Sequence, residues 1–579
     1  MEGDEDAGYK SRVDNQDFFF HEKGGSSPWL ELDASIEAFN SGVPRRGPLD
    51  QHPQCTFPER FRFLSALGLI NVKKIECLEY LNWKKGIDAS SIALIFSSSF
   101  PNNPASTFGH TFFRFNKQGK SNDLLDYTAN FSADTKGLDE GFLYAYHGVF
   151  GGFNGRFSFA PYYQKVDEYA NAESRDIYEY ELNFSRDEVE SIVGHIWELY
   201  YLAFFQYWFF TENCSYVLGT VLEVGNDKWN FTKKNKLYYL PADLVKQVVA
   251  TEGLIRQVKF RPSIRRKLEY HYLKLNTGEK KVFKQIISGD LAVETIDNPQ
   301  VLNSLIHFYD FKKYRKKGNV SLSEKNIYHK VLLRRSRFPV EKSEVVDWQQ
   351  YNRPDQGHEP QRLIVWGEYR QREWFGEFGY KLGYHDLLNR DDGYEPYSKF
   401  DLVDLAISYR EKLQKWNFSH IGVVDILSLH PLTFYDPRFS WQVVVARNSL
   451  MDHHSLDANK WQAYGGLGAA YDLSGRVYSI LGGEIQLSEH ISKSVRLGPY
   501  LEWGYITNIF FNSKMSFKQK VFLDGLDQDN NDFLIENEIG HGYAISGTQE
   551  LRLLGTMIGN SGDFSFNKYK IKVGYAYYF

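Results

Sequence analysis

The last third of the chain alternates between apolar and polar positions. Tyr569, Ile571, Val573, Tyr575, Tyr577 and Phe579 fall on one side of a period-two pattern, and Lys568, Lys570, Lys572, Gly574 and Ala576 fall on the other. Alternation held this long exceeds a globular strand and fits one that crosses a membrane at a tilt. The pattern recurs upstream. Trp374, Phe378, Tyr380, Leu382 and Tyr384 alternate with Phe375, Glu377, Lys381 and His385. Val403, Leu405, Ile407 and Tyr409 alternate with Asp404, Ser408 and Arg410. Val477, Leu481, Ile485 and Leu487 alternate with Arg476, Glu484 and Gln486, and Val495, Leu497, Leu501, Trp503 and Tyr505 alternate with Arg496 and Glu502. In each segment the charges share one face and most apolar residues share the other, which predicts lipid outside and a polar lumen inside. Counting from about Gln361 onward predicts a transmembrane antiparallel β-barrel of roughly twelve strands. A soluble sandwich or lipocalin-like barrel would turn its apolar residues inward, and the repeated Lys, Arg and Glu argue against that.

An even strand number puts both barrel ends on the periplasmic side of a Gram-negative-type outer membrane, so everything before about residue 355 is expected in the periplasm and the longer loops outside. One such loop, 524–538, holds Asp527, Asp529, Asn531 and Glu538 at EF-hand-like spacing. Asp532 stands where that motif needs Gly, so an acidic solvated loop is expected rather than a calcium site. Phe579 after the final strand resembles the recognition signal of outer-membrane barrels. It implies the barrel assembly machinery as a partner during biogenesis.

Residues 257–345 read as helical and basic, with Arg261, Arg265, Arg266, Lys267 and Lys274, then Lys280, Lys281 and Lys284, and later Lys312, Lys313, Arg315, Lys316 and Lys317. Either this is a solvated helical surface or a base lying against anionic headgroups. A chain of 579 residues is too long for one core. Aromatics at 16% suit a barrel with aromatic girdles. A net charge of −5 gives no footprint for nucleic acid. No run approaches the roughly 18 apolar residues of a membrane helix; the longest apolar stretch is broken by Gln206. The acidic start, Met1-Glu2-Gly3-Asp4, is no signal peptide, so an export signal is expected to have been removed.

The N-terminal half carries the candidate chemistry. Residues 91–100 predict a buried strand, and a second begins at Phe108-Gly109-His110. Gly109 lets another backbone or a ligand come close to His110. A third strand, 124–130, offers Asp126 and Asn130 as orienters of that histidine. The glycine-rich stretch 148–155 does not fit a phosphate-binding fingerprint. Thr211-Glu212-Asn213-Cys214-Ser215 opens a helix, with Thr211 or Asn213 able to cap it. Cys214 then sits in the first turn, where the helix dipole favours thiolate. A thiolate at a helix N-terminus, a strand histidine and a polar orienter are the parts of a papain-like nucleophile, here permuted because His precedes Cys. The plain alternative is a small core cysteine and a satisfied histidine. The aromatic run Phe204, Phe205, Tyr207, Trp208, Phe209 and Phe210 either lines an acyl groove or is the buried face of a helix. The three cysteines suggest one pair and one free thiol, or three buried thiols. Cys55 and Cys77 could pair in an oxidising compartment and leave Cys214 free. No His/Cys spacing rises above chance, so no metal or other cofactor is expected.

The strings Asn103-Pro104-Ala105-Ser106-Thr107-Phe108-Gly109-His110-Thr111-Phe112-Phe113-Arg114-Phe115 and Glu212-Asn213-Cys214-Ser215-Tyr216 resemble the N-terminal periplasmic domain of the Lnb lipoprotein N-acyltransferases. So do 148–155, Pro161-Tyr162-Tyr163 with Lys165-Val166, and Arg175-Asp176, over a span of roughly 50 to 270. The resemblance implies an α+β permuted NlpC/papain-like fold, as in the lecithin:retinol acyltransferase group. It implies His110 and Cys214 as the catalytic pair and Cys55 with Cys77 as the family's paired cysteines. The acyltransferases that name the family continue into transmembrane helices, where this chain continues into a barrel.

The expected layout is an N-terminal extension (1–49), a papain-like Cys–His domain (50–256), a basic helical connector (257–355) and the barrel (356–579). The expected site is Cys214, His110, Asp126 and Asn130, with Ser106, Gly109, Asn213 and Ser215 in the substrate and oxyanion region. The expected activity is thiol acyl transfer or lipolysis on phospholipid or lipoprotein acyl esters, with membrane lipid and lipoproteins as partners. The alternatives are a peptidoglycan peptide hydrolase of the NlpC type and a non-enzymatic barrel channel or scaffold.

Overall fold

The chain divides into two units, Met1–Tyr351 and Asn352–Phe579. The computed structural model describes residues 8–41, 49–99, 108–119, 122–135, 137, 142–232, 238–339, 353–451, 456–510, 512–526, 533–560 and 563–579.

In the first unit, helices α1 (Pro28–Ser41), α2 (Pro53–Thr56), α3 (Pro58–Ala66) and α4 (Leu78–Ile87) precede strands β1 (Ala89–Ser97), β2 (His110–Lys117) and β3 (Tyr127–Asp134). Then come α5 (Phe142–Phe150), β4 (Phe153–Pro161), α6 (Tyr162–Val166), β5 (Ile177–Leu182), α7 (Arg186–Leu202), β6 (Phe205–Tyr207), α8 (Cys214–Gly225), α9 (Pro241–Ala250) and β7 (Ile255–Arg261). The strands form one antiparallel sheet in the order β6-β4-β3-β2-β1-β5-β7. Strand alternation sorts its apolar residues into two cores. Phe113 and Phe115 pack with Ile192, Ile196, Leu218 and Val221 of α7 and α8. Phe112, from the opposite face of β2, packs with Ile95, Tyr162, Tyr169 and Ile177. The entry of α7 is fixed by a reciprocal Ser185–Glu188 capping box.

Three expectations are corrected here. The third strand starts at Tyr127, because 123–125 form a short 3-10 turn capped by Asn122. The aromatic run before Cys214 is no helix face: it contributes the short edge strand β6, paired with β4. Residues from 257 are not all helical, since β7 pairs with β5 and completes the sheet. The expected boundary at 256 therefore falls inside a strand. Helices α10 (Ile264–Leu273), α11 (Thr277–Ser288), α12 (Pro299–Arg315) and α13 (Leu322–Arg335) follow it.

In the second unit, twelve strands close into an antiparallel barrel. They are β8 (Gln361–Arg370), β9 (Glu373–His385), β10 (Ser398–Arg410), β11 (Lys415–Ser428), β12 (Ser440–Ser449), β13 (Asn459–Asp472), β14 (Arg476–Leu487), β15 (Val495–Phe510), β16 (Ser513–Leu523), β17 (Phe533–Ala544), β18 (Gln549–Asn560) and β19 (Asp563–Tyr578). β19 pairs back onto β8, which leaves no free edge. Burial is inverted relative to a soluble protein. Trp374 is 62% exposed and Val573 59%, whereas Glu368, Glu377, Lys381, Glu484, Glu502 and Arg552 are buried. Lys572 reaches across the lumen side to Glu377 at 2.6 Å and Glu368 at 3.1 Å. An apolar outer wall around a charged interior is a membrane barrel.

The lumen is not polar throughout: Leu427, Tyr478, Ile480, Tyr500 and Phe522 form an apolar cluster inside it. Loop lengths also depart from expectation. The two longest connections, 386–397 and 429–439, lie at the end that bears Gln361 and Tyr578, and the connections at the other end are shorter. The first of them folds inward. Asp386 accepts two hydrogen bonds from Arg552 (2.7 and 2.9 Å) and one from Arg362 (2.8 Å). Asn389 donates to the Tyr578 hydroxyl at 2.6 Å and to Glu550 at 3.1 Å. Asp391 meets Lys514 at 2.6 Å. Of the EF-hand-like residues, Glu538 is in β17, facing Lys518 across the ladder, so it cannot serve a loop; Asp527, Asp529, Asn531 and Asp532 lie outside the described residues.

Candidate active site

Helix α8 places the nucleophile. Asn213 is its cap, accepting from the backbone N–H groups of Ser215 (3.1 Å) and Tyr216 (3.3 Å). The Asn213 amide donates to the carbonyls of Phe209 (2.9 Å) and Tyr239 (2.5 Å). The Ser215 hydroxyl is spent on the same cap, donating to Asn213 at 2.6 Å. Neither side chain is left to meet a substrate, so both act by fixing the helix start, a correction to their expected placement. Cys214 is thereby held as the first helical residue, only 2% exposed.

His110 opens β2, opposite Ser97 of β1. Its Nε2 lies 2.6 Å from Oδ1 of Asn130 on β3. The ring also interacts with the Cys214 thiol, each favouring the other's charged form. With Nε2 committed to Asn130, Nδ1 is the nitrogen that serves the thiol. Gly109 has φ +87°, and a Cβ there would stand 2.6 Å from the Phe96 ring and 2.9 Å from the Ser97 carbonyl. Its role is the close packing of β1 against the start of β2.

Asp126 does not join this group. It sits ahead of β3 and accepts from the Lys117 N–H at 3.4 Å, beside Arg114 at 3.7 Å. Arg114 in turn meets Glu179 at 2.6 Å, and Glu179 also takes hydrogen bonds from Tyr162 (2.8 Å) and Arg261 (3.1 Å). Asp126 thus belongs to a buried ion network that ties β2, β5 and β7 together, and among the described residues Asn130 is the one that orients the imidazole. Ser106 lies outside the described residues.

Two partners were not foreseen. Thr111 donates its hydroxyl to the Cys214 sulfur at 3.7 Å. The buried Tyr207 hydroxyl lies against both the thiol and the backbone N–H of Cys214. Tyr169 lies beside His110 with the rings tilted, 5.7 Å between centroids, and carries Arg175 over its face at 4.9 Å. Arg175 is anchored by the carbonyls of Ser98 (2.6 Å) and Ser97 (3.1 Å).

Burial works against the Cys214 thiolate. The His110 charge and hydrogen bonds from His110 and Thr111 outweigh it and bring the thiol down to about 7. Burial likewise works against the imidazolium, but the charge and hydrogen bond of Cys214, with the Asn130 contact, raise His110. The two groups stabilise each other's charged forms, as a thiolate–imidazolium pair requires.

The glycine-rich stretch serves packing. A Cβ on Gly148 would stand 2.1 Å from the Phe209 ring, and one on Gly151 would stand 2.4 Å from the Trp208 ring. These glycines let the segment that carries Tyr207 lie directly on α5. Cys55 and Cys77 form a disulfide, and Cys214 is the free cysteine. The bridge joins α2 to the start of α4, and Trp197 of α7 donates to the Cys55 carbonyl at 2.9 Å. Among the described residues no three His, Cys, Asp or Glu side chains converge as a metal site.

With this geometry in view, comparison with known families bears on the first unit. Residues 79–251 match the Lnb N-terminal periplasmic domain family. The Lnb match bears out the resemblance carried by the motifs, over a narrower span than 50–270. It takes in β1 to β6 and both His110 and Cys214. Two further families, described as Domain of unknown function (DUF7843) and Domain of unknown function (DUF7840), match residues 1–66 and 351–578. No curated protein matches the chain. Among solved structures, the NanC porin is similar at 10% identity, covering 37% of this chain and 98% of that one, with a TM-score of 0.24. An outer membrane channel from Pseudomonas putida F1 is similar at 10% identity, covering 42% and 100%, with a TM-score of 0.24. Omp33 of Acinetobacter baumannii is similar at 8% identity, covering 38% and 99%, with a TM-score of 0.19. The barrel assignment itself rests on the closed strand order and the inverted burial. A barrel of this kind joined to a periplasmic Lnb-type domain is an outer-membrane protein with its N-terminal unit in the periplasm.

Proposed function

We propose that the chain is an outer-membrane-anchored periplasmic thiol acyltransferase or lipase acting on acyl esters of phospholipids or lipoproteins. The observation that carries the reading is the Cys214–His110–Asn130 arrangement at the start of α8, within the segment that matches the Lnb domain. His110 takes the thiol proton. The thiolate adds to the ester carbonyl, and the Cys214 backbone N–H with the Tyr207 hydroxyl receives the developing oxyanion. The carbon–oxygen bond to the alcohol breaks, and the alcohol leaves with the proton returned by His110. The acyl group is left on Cys214 as a thioester. An amine or water, deprotonated by His110, then attacks that thioester and regenerates the thiol. Asn130 keeps the imidazole turned toward sulfur throughout.

The test is to incubate full-length protein in vesicles with diacyl phospholipid and a diacylglyceryl lipopeptide, then measure intact mass. An acyl mass on the wild type, absent from Cys214→Ala and His110→Ala, is expected, and the lyso product names the donor. A folded protein giving neither adduct nor lysolipid would overturn the lipid reading. Cleavage of murein peptides by the same sample would then assign the pair to peptide hydrolysis.

A further inference from the structure

Helix α5, Phe142–Phe150, reads Phe-Leu-Tyr-Ala-Tyr-His-Gly-Val-Phe and carries no Asp, Glu, Lys or Arg. A helix apolar on all sides is normally buried. This one is not. Tyr144 is buried, packing on Phe153 at 5.6 Å and on Phe209 at 5.5 Å. Leu143, Tyr146 and Phe150 are 58%, 49% and 62% exposed. Their spacing sets them on one helical face, and the Tyr146 and Phe150 rings touch at 4.8 Å. The buried side leads to the nucleophile. Phe209, under Tyr144, packs on Tyr207 at 6.1 Å, and Tyr207 lies against Cys214. Gly148 is the residue that lets Phe209 come this close to the helix.

We propose that the Leu143–Tyr146–Phe150 face of α5 docks into the headgroup–acyl boundary of the membrane. The occupant is a lipid surface rather than another protein for two reasons. The chain carries its own membrane anchor in the second unit, so every copy of the first unit is held at a membrane. The face also has the composition of an interfacial helix, with a Tyr that keeps its hydroxyl wet while its ring enters the acyl region. Docked this way, α5 sets acyl chains against the Tyr144–Phe209 layer that separates them from the thiol. The idea rests on the acyl-ester reading of the site for its purpose, though docking itself does not need the chemistry.

The test uses the full chain in vesicles of phosphatidylethanolamine and phosphatidylglycerol. In a Cys214→Ala background, Leu143→Cys supplies one free thiol for an environment-sensitive fluorophore; Lys228→Cys, at an exposed position on α8's far loop, is the control. Lipids with a nitroxide near the ester end of the acyl chain should quench the label at 143 about threefold more than the label at 228. Equal quenching at the two sites overturns the proposal. Because Cys214 is absent from these proteins, the outcome is independent of acyl transfer. A second variant keeps Cys214 and carries Leu143→Ser, Tyr146→Ser and Phe150→Ser. It should retain iodoacetamide labelling of Cys214 and acylation by a short soluble ester while losing acylation from vesicle lipid. Unchanged acylation from vesicle lipid would equally overturn docking. A quenched label with no acylation from either donor leaves docking standing and removes the acyl-ester reading.

Discussion

The Cys214 thiol is held near neutrality by burial on one side and His110 on the other, and single substitutions separate the two. With the thiol at about 7, the rate of alkylation by iodoacetamide rises with pH through neutrality and levels off above it, where an isolated thiol would do so near ~8.5. The same pairing raises His110, so the imidazolium persists beside the thiolate to higher pH than on an ordinary histidine. His110→Ala leaves only the Thr111 hydrogen bonds to oppose burial, and the inflection moves up. An unchanged midpoint would mean that His110 does not face the sulfur. Asn130→Ala should cost about 10²-fold in acylation rate, because the imidazole loses its orienting partner. Asp126→Asn should change that rate by less than about twofold, since its contacts lie in the separate Arg114 network. Tyr207→Phe should cost about 10²-fold in rate if its hydroxyl receives the oxyanion. The histidine and the cysteine were legible because each stands at an element start with a polar neighbour in sequence. Tyr207 was not. It lies in a run of aromatics that reads as plain apolar surface, and only the edge position of β6 brings it to the start of α8.

At the scale of elements, the start of α8 and the disulfide carry the strain of keeping the site in place. Asn213→Ala removes a cap and the two carbonyl contacts that seat it, a loss of about 2 kcal/mol. The measurement is the midpoint of urea unfolding of the helical unit, followed by circular dichroism. The Cys55→Ser, Cys77→Ser pair should destabilise the unit by about 3 kcal/mol, given the loop the bridge closes. Period-two patterning made the membrane strands readable, because lipid on one face and charge on the other leave no ambiguity of register. β6 escaped, being too short to show a period. Asp126 was misassigned for a related reason: a one-turn 3-10 helix in 123–125 delays the third strand, and nothing in the local pattern distinguishes that turn from the strand's own beginning.

For the molecule as a whole, what the barrel lumen can pass depends on its inturned loop. The inturned 386–397 loop is pinned by Arg552, Arg362, Lys514, Glu550 and Tyr578, and an apolar cluster fills part of the remaining lumen. Planar-bilayer recordings of the full chain should show no steady ion conductance. Replacing 386–397 with a two-residue turn should produce steps of conductance, and sustained current from the unaltered chain would restore the channel reading. The barrel's strand number came from counting alternating segments. Its plug could not, because a loop reveals its direction only through partners far away in sequence.

Those distant partners set an order of assembly. Asp386 and Asn389 follow the second barrel strand, and besides Arg362 of β8 and Lys381 of β9 the side chains that hold them come from β18 and β19, with Arg552 lying 166 positions and Tyr578 189 positions further on. Contacts this remote form late, since the intervening chain must first be brought together. The hairpin that seals the cylinder against β8 is therefore also the latch on its stopper. A nascent barrel still waiting for that hairpin has both an open seam and a loose bung, and the two defects are repaired in a single event.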